Sequence, residues 1–531
     1  MTDQPPRIIL ATLNAKYIHA SLGLRYLLAN MSRYAGADLR AVTVLREFTI
    51  TRPPDEIAQT LLSELADPTE SQIQILGLGV YIWNVTQTTE LVRLLKRARP
   101  ELKIVLGGPE VSHECGVQEI VSLADNVITG WGDVSFPKLC RALISGPPPL
   151  MKVISGEQPP LDQIALPYAE YSSSDLAHRV LYVEASRGCP FKCEFCLSAL
   201  DKTAWAFPLD HFLAEIDSLY ARGARHFKFV DRTFNLRIEA SVRILQFFLD
   251  RLKRLEDDEI FLHFEMIPDH LPDRLKDLIA QFPPGVLQLE IGIQSFDPLV
   301  QARISRRQDN DLTESNLRWL LEHSHAHLHA DLIFGLPGET MAGFSTGFDR
   351  LYAIGPHEIQ LGILKRLRGA PVVRHSGQFN LVFDPLPPYA LKQSDSVSAC
   401  AMQRFTRIAR YWERIANSGS FKQSVRLLLS GSSPFRSFAE FSDWLWEKLA
   451  KTNNLSPEQL VDAIFQYLTA VKGMAPEGVR MHLLNDYLAS GARASPHSLK
   501  GMLHSRHQPR KNARKSLTKR QGRGLFGVPD A

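Results

Sequence analysis

Twice along this chain, short apolar runs alternate with segments of helical spacing, and this recurrence limits the fold more than any other feature. Residues 7–13, 41–45, 75–81, 103–106 and 126–129 read as strands. Between two of them Leu91, Leu94, Leu95 and Ala98 follow helical spacing, until Pro100 stops the helix. A strand and a helix repeating every ~30 residues return each strand in the same direction, so the sheet is parallel and needs helices on both faces. We expect a doubly wound, Rossmann-like α/β domain over residues 1–145.

A second series follows, with strand candidates at 181–185, 226–230, 261–266, 286–293, 328–334 and 358–364. Helical segments near 209–221, 238–253, 311–323 and 341–353 separate most of them. Six such repeats over 179–380 make a partial (β/α)6 TIM-like barrel, with its chemistry at the strand C-termini. Residues 146–178, from Gly146-Pro147-Pro148-Pro149 through Pro159-Pro160, are rich in breakers and read as a linker. Residues 381–504 read as helical, one helix opening on the capping-box pattern Ser456-Pro457-Glu458-Gln459.

With 531 residues the chain exceeds one hydrophobic core, and 44% hydrophobic with 22% charged residues excludes collagen-like and wholly disordered classes. No apolar run reaches the ~18 residues of a membrane span, and no basic segment leads into an apolar one at the start, so we expect a cytoplasmic protein without a membrane partner. Charge is uneven: the last 31 residues hold eight basic side chains against Asp530. Nucleic acid is therefore a candidate partner only through a basic, disordered tail at 505–531.

Of six cysteines, Cys189, Cys193 and Cys196 form Cys-x3-Cys-x2-Cys just after a strand. In a reducing compartment such crowding indicates a metal rather than disulfides. Three thiolates leave one position open on a tetrahedral zinc or on one iron of a 4Fe–4S cluster, where a substrate group can bind. Cys115, Cys140 and Cys400 lack neighbours at ligand spacing and read as ordinary buried thiols.

With Phe195 in the aromatic position before Cys196, this segment resembles the radical SAM superfamily signature. The resemblance implies a 4Fe–4S cluster on the three cysteines and S-adenosylmethionine chelating the fourth iron. It also implies reductive cleavage to a 5′-deoxyadenosyl radical, with an electron donor such as flavodoxin or ferredoxin. By the same resemblance Asp231, in Phe229-Val-Asp231-Arg-Thr-Phe-Asn235, holds the methionine ammonium, although a helix cap is its plainer reading. Glu265 and Glu290 become candidates for ribose or substrate, since a carboxylate buried on a barrel strand must be paired or ligand-bound. Gly335, Gly338 and Glu339, in Asp331-Leu-Ile-Phe-Gly335-Leu-Pro-Gly338-Glu339, resemble the turn beside the adenine, and no Gly-x4-Gly-Lys phosphate loop occurs.

A doubly wound domain ahead of such a barrel resembles the cobalamin-binding arrangement. Gly107-Gly108-Pro-Glu110 and Gly130-Trp-Gly132-Asp133 follow strands on the side where such sheets bind ligands, which makes these four glycines cofactor candidates. The Asp-x-His-x-x-Gly motif is absent, because His19 lies four residues before Gly23 and neither the Asp nor the spacing is met, so we expect cobalt without a protein histidine. The resemblance implies a cobalamin-dependent radical SAM enzyme, a methyltransferase acting on an unactivated carbon of an unidentified substrate. The alternatives are a cobalamin-independent radical SAM oxidoreductase and a catalytically silent cluster-binding scaffold. His323, His325, His327 and His329 alternate but do not converge tetrahedrally from one strand, and Phe441, Trp444, Leu445 and Leu449 read as core.

Overall fold

The computed structural model describes residues 7–65, 73–201, 203–253, 260–492 and 495–503; the expected basic tail lies outside them. Strands β1 (Ile8–Asn14), β2 (Thr43–Thr49), β3 (Ile75–Gly79), β4 (Lys103–Gly107), β5 (Asn126–Thr129) and β6 (Val153–Ser155) form one sheet. Its order is β2-β1-β3-β4-β5-β6, with every pair parallel. Alternation divides β1 between two cores. Ile8 and Leu10 face helices α1 (Leu22–Ala35) and α2 (Ser135–Ser145), while Ile9, Ala11 and Leu13 face Leu61, Leu91 and Leu95 on the other layer. The second strand begins at Thr43 rather than residue 41, because Ala37–Ala41 completes a short helix.

The breaker-rich stretch after Gly146 is more than a connection. It supplies β6, paired to β5 through Val127 and Val153, and then helix α3 (Ser173–His178). Tyr168 and Tyr171 from this stretch are buried in the core of the barrel that follows. Its junction with the first sheet is a buried ion network: Arg25 on α1 reaches Glu47 at 2.8 Å and Asp175 at 2.9 Å, and Arg179 reaches Glu47 at 2.7 Å.

Strands β7 (Leu181–Val183), β8 (His226–Phe229), β9 (Phe261–Met266), β10 (Leu287–Gln294), β11 (His327–Phe334) and β12 (Glu358–Ile363) follow in sequential order, all parallel. The barrel does not close, and β7 and β12 are its edges. Leu328, Ala330, Leu332 and Phe334 of β11 are buried among the hydrophobic core, whereas His329 and Asp331 belong to a polar interior with Glu290 and Lys228. Only His327 and His329 of the four alternating histidines lie in the strand. A two-stranded hairpin, Val382–Phe383 with Leu391–Gln393, precedes the helical region. There α4 (Ala399–Ile415) packs on β12, and Phe441 and Leu445 are fully buried. No described helix is long and apolar enough to cross a membrane.

Candidate functional site

Two cavities open at the C-terminal ends of the two sheets. In the first domain the chain leaves β1 toward β2 on one side and β3 on the other, a switch point of the kind at which parallel sheets bind ligands. A cavity of about 290 Å³ lies beneath that end, lined by Gly77, Gly79, Gly107, Gly108, Gly130 and Gly132 together with Leu24, Phe136 and Trp131. A Cβ at Gly77 would stand 2.7 Å from the Phe136 ring, and one at Gly108 (φ +109) 2.4 Å from the Val80 carbonyl, while the space beside Gly130 is open. Gly77 and Gly79 went unnoticed in sequence, though a Gly-Leu-Gly strand ending was their signal. Among the described residues no histidine lines this slot. His19 points elsewhere, its Nδ1 2.7 Å from the Tyr182 hydroxyl on β7, and burial lowers its pKa to about 4.

The second cavity, about 220 Å³, is lined by all three cysteines of the motif, with Phe195, Thr233, Glu265, Glu290, Gln294, Arg306 and Asp331. Among the described residues no three His, Cys, Asp or Glu side chains converge on one ion, whereas a cuboidal cluster takes each thiolate on a different iron. The Arg306 guanidinium approaches Cys193 Sγ at 3.8 Å; burial raises that thiol's pKa and Arg306 opposes the rise. Glu194, between two of the cysteines, anchors the loop: its buried carboxylate accepts from Ser305 at 2.7 Å, faces His375 at 2.7 Å and pairs with Arg374. Gln294 has a left-handed backbone (φ +69) at a register shift in β10, and its buried Oε1 has no hydrogen-bond partner among the described residues. Such strain costs about 1–3 kcal/mol, and with an orphaned acceptor it marks a ligand site.

The remaining candidates divide. Glu265 and Glu290 line the cysteine cavity. Burial pushes Glu265 up to about 7 despite Arg232 at 3.9 Å, while His263 at 3.0 Å and Lys228 at 3.8 Å overcome burial and hold Glu290 well below the carboxylate range. Asp231 does not line it. Its carboxylate accepts from the Ala185 backbone at 2.9 Å and from the Ser186 hydroxyl, tying the end of β7, and burial pushes it up to about 7; it is neither a helix cap nor turned to the cysteines. Glu339 folds back to accept from Gly335 N at 2.9 Å, so it shapes its own turn. Gly335 (φ +89) and Gly338 (φ +73) provide left-handed corners, but a Cβ there would strike Leu391 and Arg303, so this chain's own side chains occupy the space beside them. Of the other cysteines, Cys140 is buried as expected, but Cys115 is half-buried and Cys400 exposed.

One residue ties the cysteine loop to the glycine slot. Arg187, two positions before Cys189, lies with Glu184 in the lining of the glycine slot. It makes paired hydrogen bonds to Asp133 at 2.8 and 3.1 Å and one to Glu184 at 2.7 Å, with its guanidinium among Tyr26, Trp131 and Phe207. A second clamp closes the other side, where Glu110 accepts from Arg368 at 2.8 Å and from Tyr389 at 2.6 Å, and Arg366 pairs with Glu114 at 3.0 Å.

Residues 8–140 match the family model of the B12 binding domain, residues 183–346 that of the radical SAM superfamily, and residues 377–524 a family described as a protein of unknown function (DUF4080). The chain is 25% identical over 324 residues to the cobalamin-dependent radical SAM methyltransferase TokK of Streptomyces tokunonensis, covering 55% of this chain and 47% of that one. It thus spans about half the length of that curated relative. Its fold is similar to that of the radical S-adenosylmethionine methyltransferase TsrM from Kitasatospora setae, with a TM-score of 0.53 and 17% identity over 71% of this chain and 77% of the other. It is also similar to OxsB, a cobalamin-dependent S-adenosylmethionine radical enzyme, with a TM-score of 0.59 and 13% identity over 94% and 83%.

Proposed function

Since this chain is a radical SAM protein that carries a B12-binding domain, we propose that it is a cobalamin-dependent radical SAM enzyme that transfers a methyl group to an unactivated carbon. One observation carries the reading: Arg187, two residues before Cys189, lines the glycine slot and pairs with Asp133 there, so the loop that carries the three cysteines is anchored to the wall of that slot. When bound, the cluster supplies the electron that cleaves S-adenosylmethionine, and the corrin supplies the methyl donor.

The chain's own residues fit these groups. Cys189, Cys193 and Cys196 are the thiolate ligands, and Arg306 offsets the negative charge they bring into a cavity of low dielectric. Gln294 Oε1 offers an unused acceptor to an ammonium or a hydroxyl of the cosubstrate. Glu265, whose pKa burial raises to about 7, lines the cavity with a carboxyl that is only partly ionised at neutral pH. The glycines of the lining leave backbone where side chains would otherwise fill the slot, and no histidine among the described residues stands there to ligate cobalt. Thiolates holding a cluster need a reducing compartment, so we place the protein in the cytoplasm, with flavodoxin or ferredoxin as electron donor. Polyanion binding, if it occurs, belongs to the basic tail.

The test is anaerobic purification and reconstitution. Corrin absorbance, together with 5′-deoxyadenosine and S-adenosylhomocysteine after reduction, is the expected result. 5′-Deoxyadenosine without corrin would make it a cobalamin-independent oxidoreductase, and no cleavage at all would make it a scaffold.

A further inference from the structure

A groove of about 910 Å³ opens beside the cysteine cavity and shares Phe195, Gln294 and Asp331 with it. One wall is the free edge of β12. The other is a stripe of α4, Thr406, Ala409, Arg410 and Glu413, whose spacing puts them on one helix face. The edge is capped at both ends. Trp412 donates to the Ile359 carbonyl at 2.7 Å, and Asn417 both donates to it at 3.0 Å and accepts from the Ile359 N–H at 3.3 Å. Beyond the strand, Leu391 N donates to the Leu364 carbonyl at 2.8 Å and Arg366 N to the Tyr389 carbonyl at 2.9 Å.

Between these caps a window remains. Backbone groups on a strand alternate sides, so those of Leu361 and Ile363 point the same way as those of Ile359, away from β11. Among the described residues none of them has a partner. The window presents two N–H and two C=O groups over ~7 Å, the span of a dipeptide. Two cations border it without an ion-pair partner among the described residues: Lys365, exposed to the groove, and Arg414, while Arg410 reaches only the Thr452 hydroxyl, at 3.2 Å.

We infer that this groove seats the substrate, and that the substrate is peptide-like: an extended amide chain that pairs with the free edge of β12 and carries a carboxylate held by Lys365 and Arg414. Strand addition supplies affinity through main-chain hydrogen bonds, and the flanking charge selects acidic chains. A nucleic acid would want stacking platforms, and among the described residues Phe195 is the single aromatic in the lining. The assignment as substrate rests on the cysteine cavity being the reaction centre; the test of occupancy does not.

The test is hydrogen exchange at the Leu361 and Ile363 amides of the full-length protein. The probes are a randomised N-acetyl tetrapeptide pool with free C-terminal carboxylates, the same pool amidated, and the same pool N-methylated at every amide. We expect the acid pool to slow exchange at both positions at least tenfold and the N-methylated pool to leave it unchanged. Lys365→Met with Arg414→Met should weaken the acid pool's effect about tenfold, and neither change removes a contact seen in the fold. Unchanged exchange with the acid pool, or equal slowing by the N-methylated pool, overturns the proposal; equal slowing by acid and amide pools overturns its carboxylate part. Protection without any S-adenosylmethionine cleavage would instead refute the reaction assigned to the cysteine cavity.

Discussion

Arg187 meets Asp133 through two parallel hydrogen bonds across the boundary between the domains, with both side chains close to fully buried. This geometry suits a guanidinium and not an ammonium. It couples the turn after β5, which lines the glycine slot, to the loop that carries the cysteines.

Replacing Arg187 by Met should leave Asp133 and Glu184 buried without a counter-charge, a loss of about 3–5 kcal/mol. Arg187→Lys should recover the charge but not the paired geometry and fall between the two. Denaturant midpoints give the stability, and iron content per chain shows whether the cysteine loop loosens with it. Unchanged iron content in a folded Arg187→Met protein would mean that the loop holds its shape without the clamp.

Each of Cys189→Ala, Cys193→Ala and Cys196→Ala should lose the cluster absorbance after anaerobic reconstitution, together with S-adenosylmethionine cleavage. Iron content is the primary measurement. A triple alanine variant that still binds a full complement of iron would exclude these thiols as the ligands.

His19→Ala should leave the electron paramagnetic resonance of a bound cob(II)alamin unchanged, with no nitrogen splitting in either protein. The His19 ring is engaged with Tyr182, outside the glycine slot. A nitrogen splitting present in the parent and absent in the variant would put His19 on cobalt.

The protein should lose stability as pH rises from about 6.5 to 9, whereas below 6.5 the buried His19, His263 and His357, lowered to about 4, oppose the trend. Buried Asp231 and Glu265, with folded pKa values pushed up to about 7, and Glu339, pushed up to about 8, bind protons that the unfolded chain has already released, so stability present at low pH is lost as each ionises. His329 acts in the same direction. Asp331, Glu358 and Glu290 outweigh burial and raise it to about 9, so its contribution is full below the unfolded value of 6.5 and disappears as pH passes 9. Urea midpoints across this range test the sign, and Asp231→Asn should flatten the slope.

Much of this was legible in the sequence because periodicity and spacing are local. The strands announced themselves through apolar runs, and the cysteine motif through the distance between its members. What stayed hidden depends on contacts distant in the chain. Nothing near Asp231 shows that its carboxylate is spent on residues 185 and 186, or that Glu110 meets Arg368, 258 residues away. Val153–Ser155 escaped notice because three residues amid prolines carry too little pattern to read as a strand. Glu194 and Gln294 lay in plain view, yet the burial of one and the backbone strain of the other exist only once the chain has folded.

The buried pairing of Arg25 with Asp175, and of Arg179 with Glu47, changes what counts as a part of this molecule. A stretch whose prolines invite a cut is held to the first sheet by charge and to the barrel by two fully buried tyrosines. Separating the halves there would break these ion pairs and bare the apolar surface that Tyr168 and Tyr171 now cover. The two halves should therefore melt in one cooperative transition, and lineages that exchange domains by recombination would inherit the junction together with both neighbours or lose both.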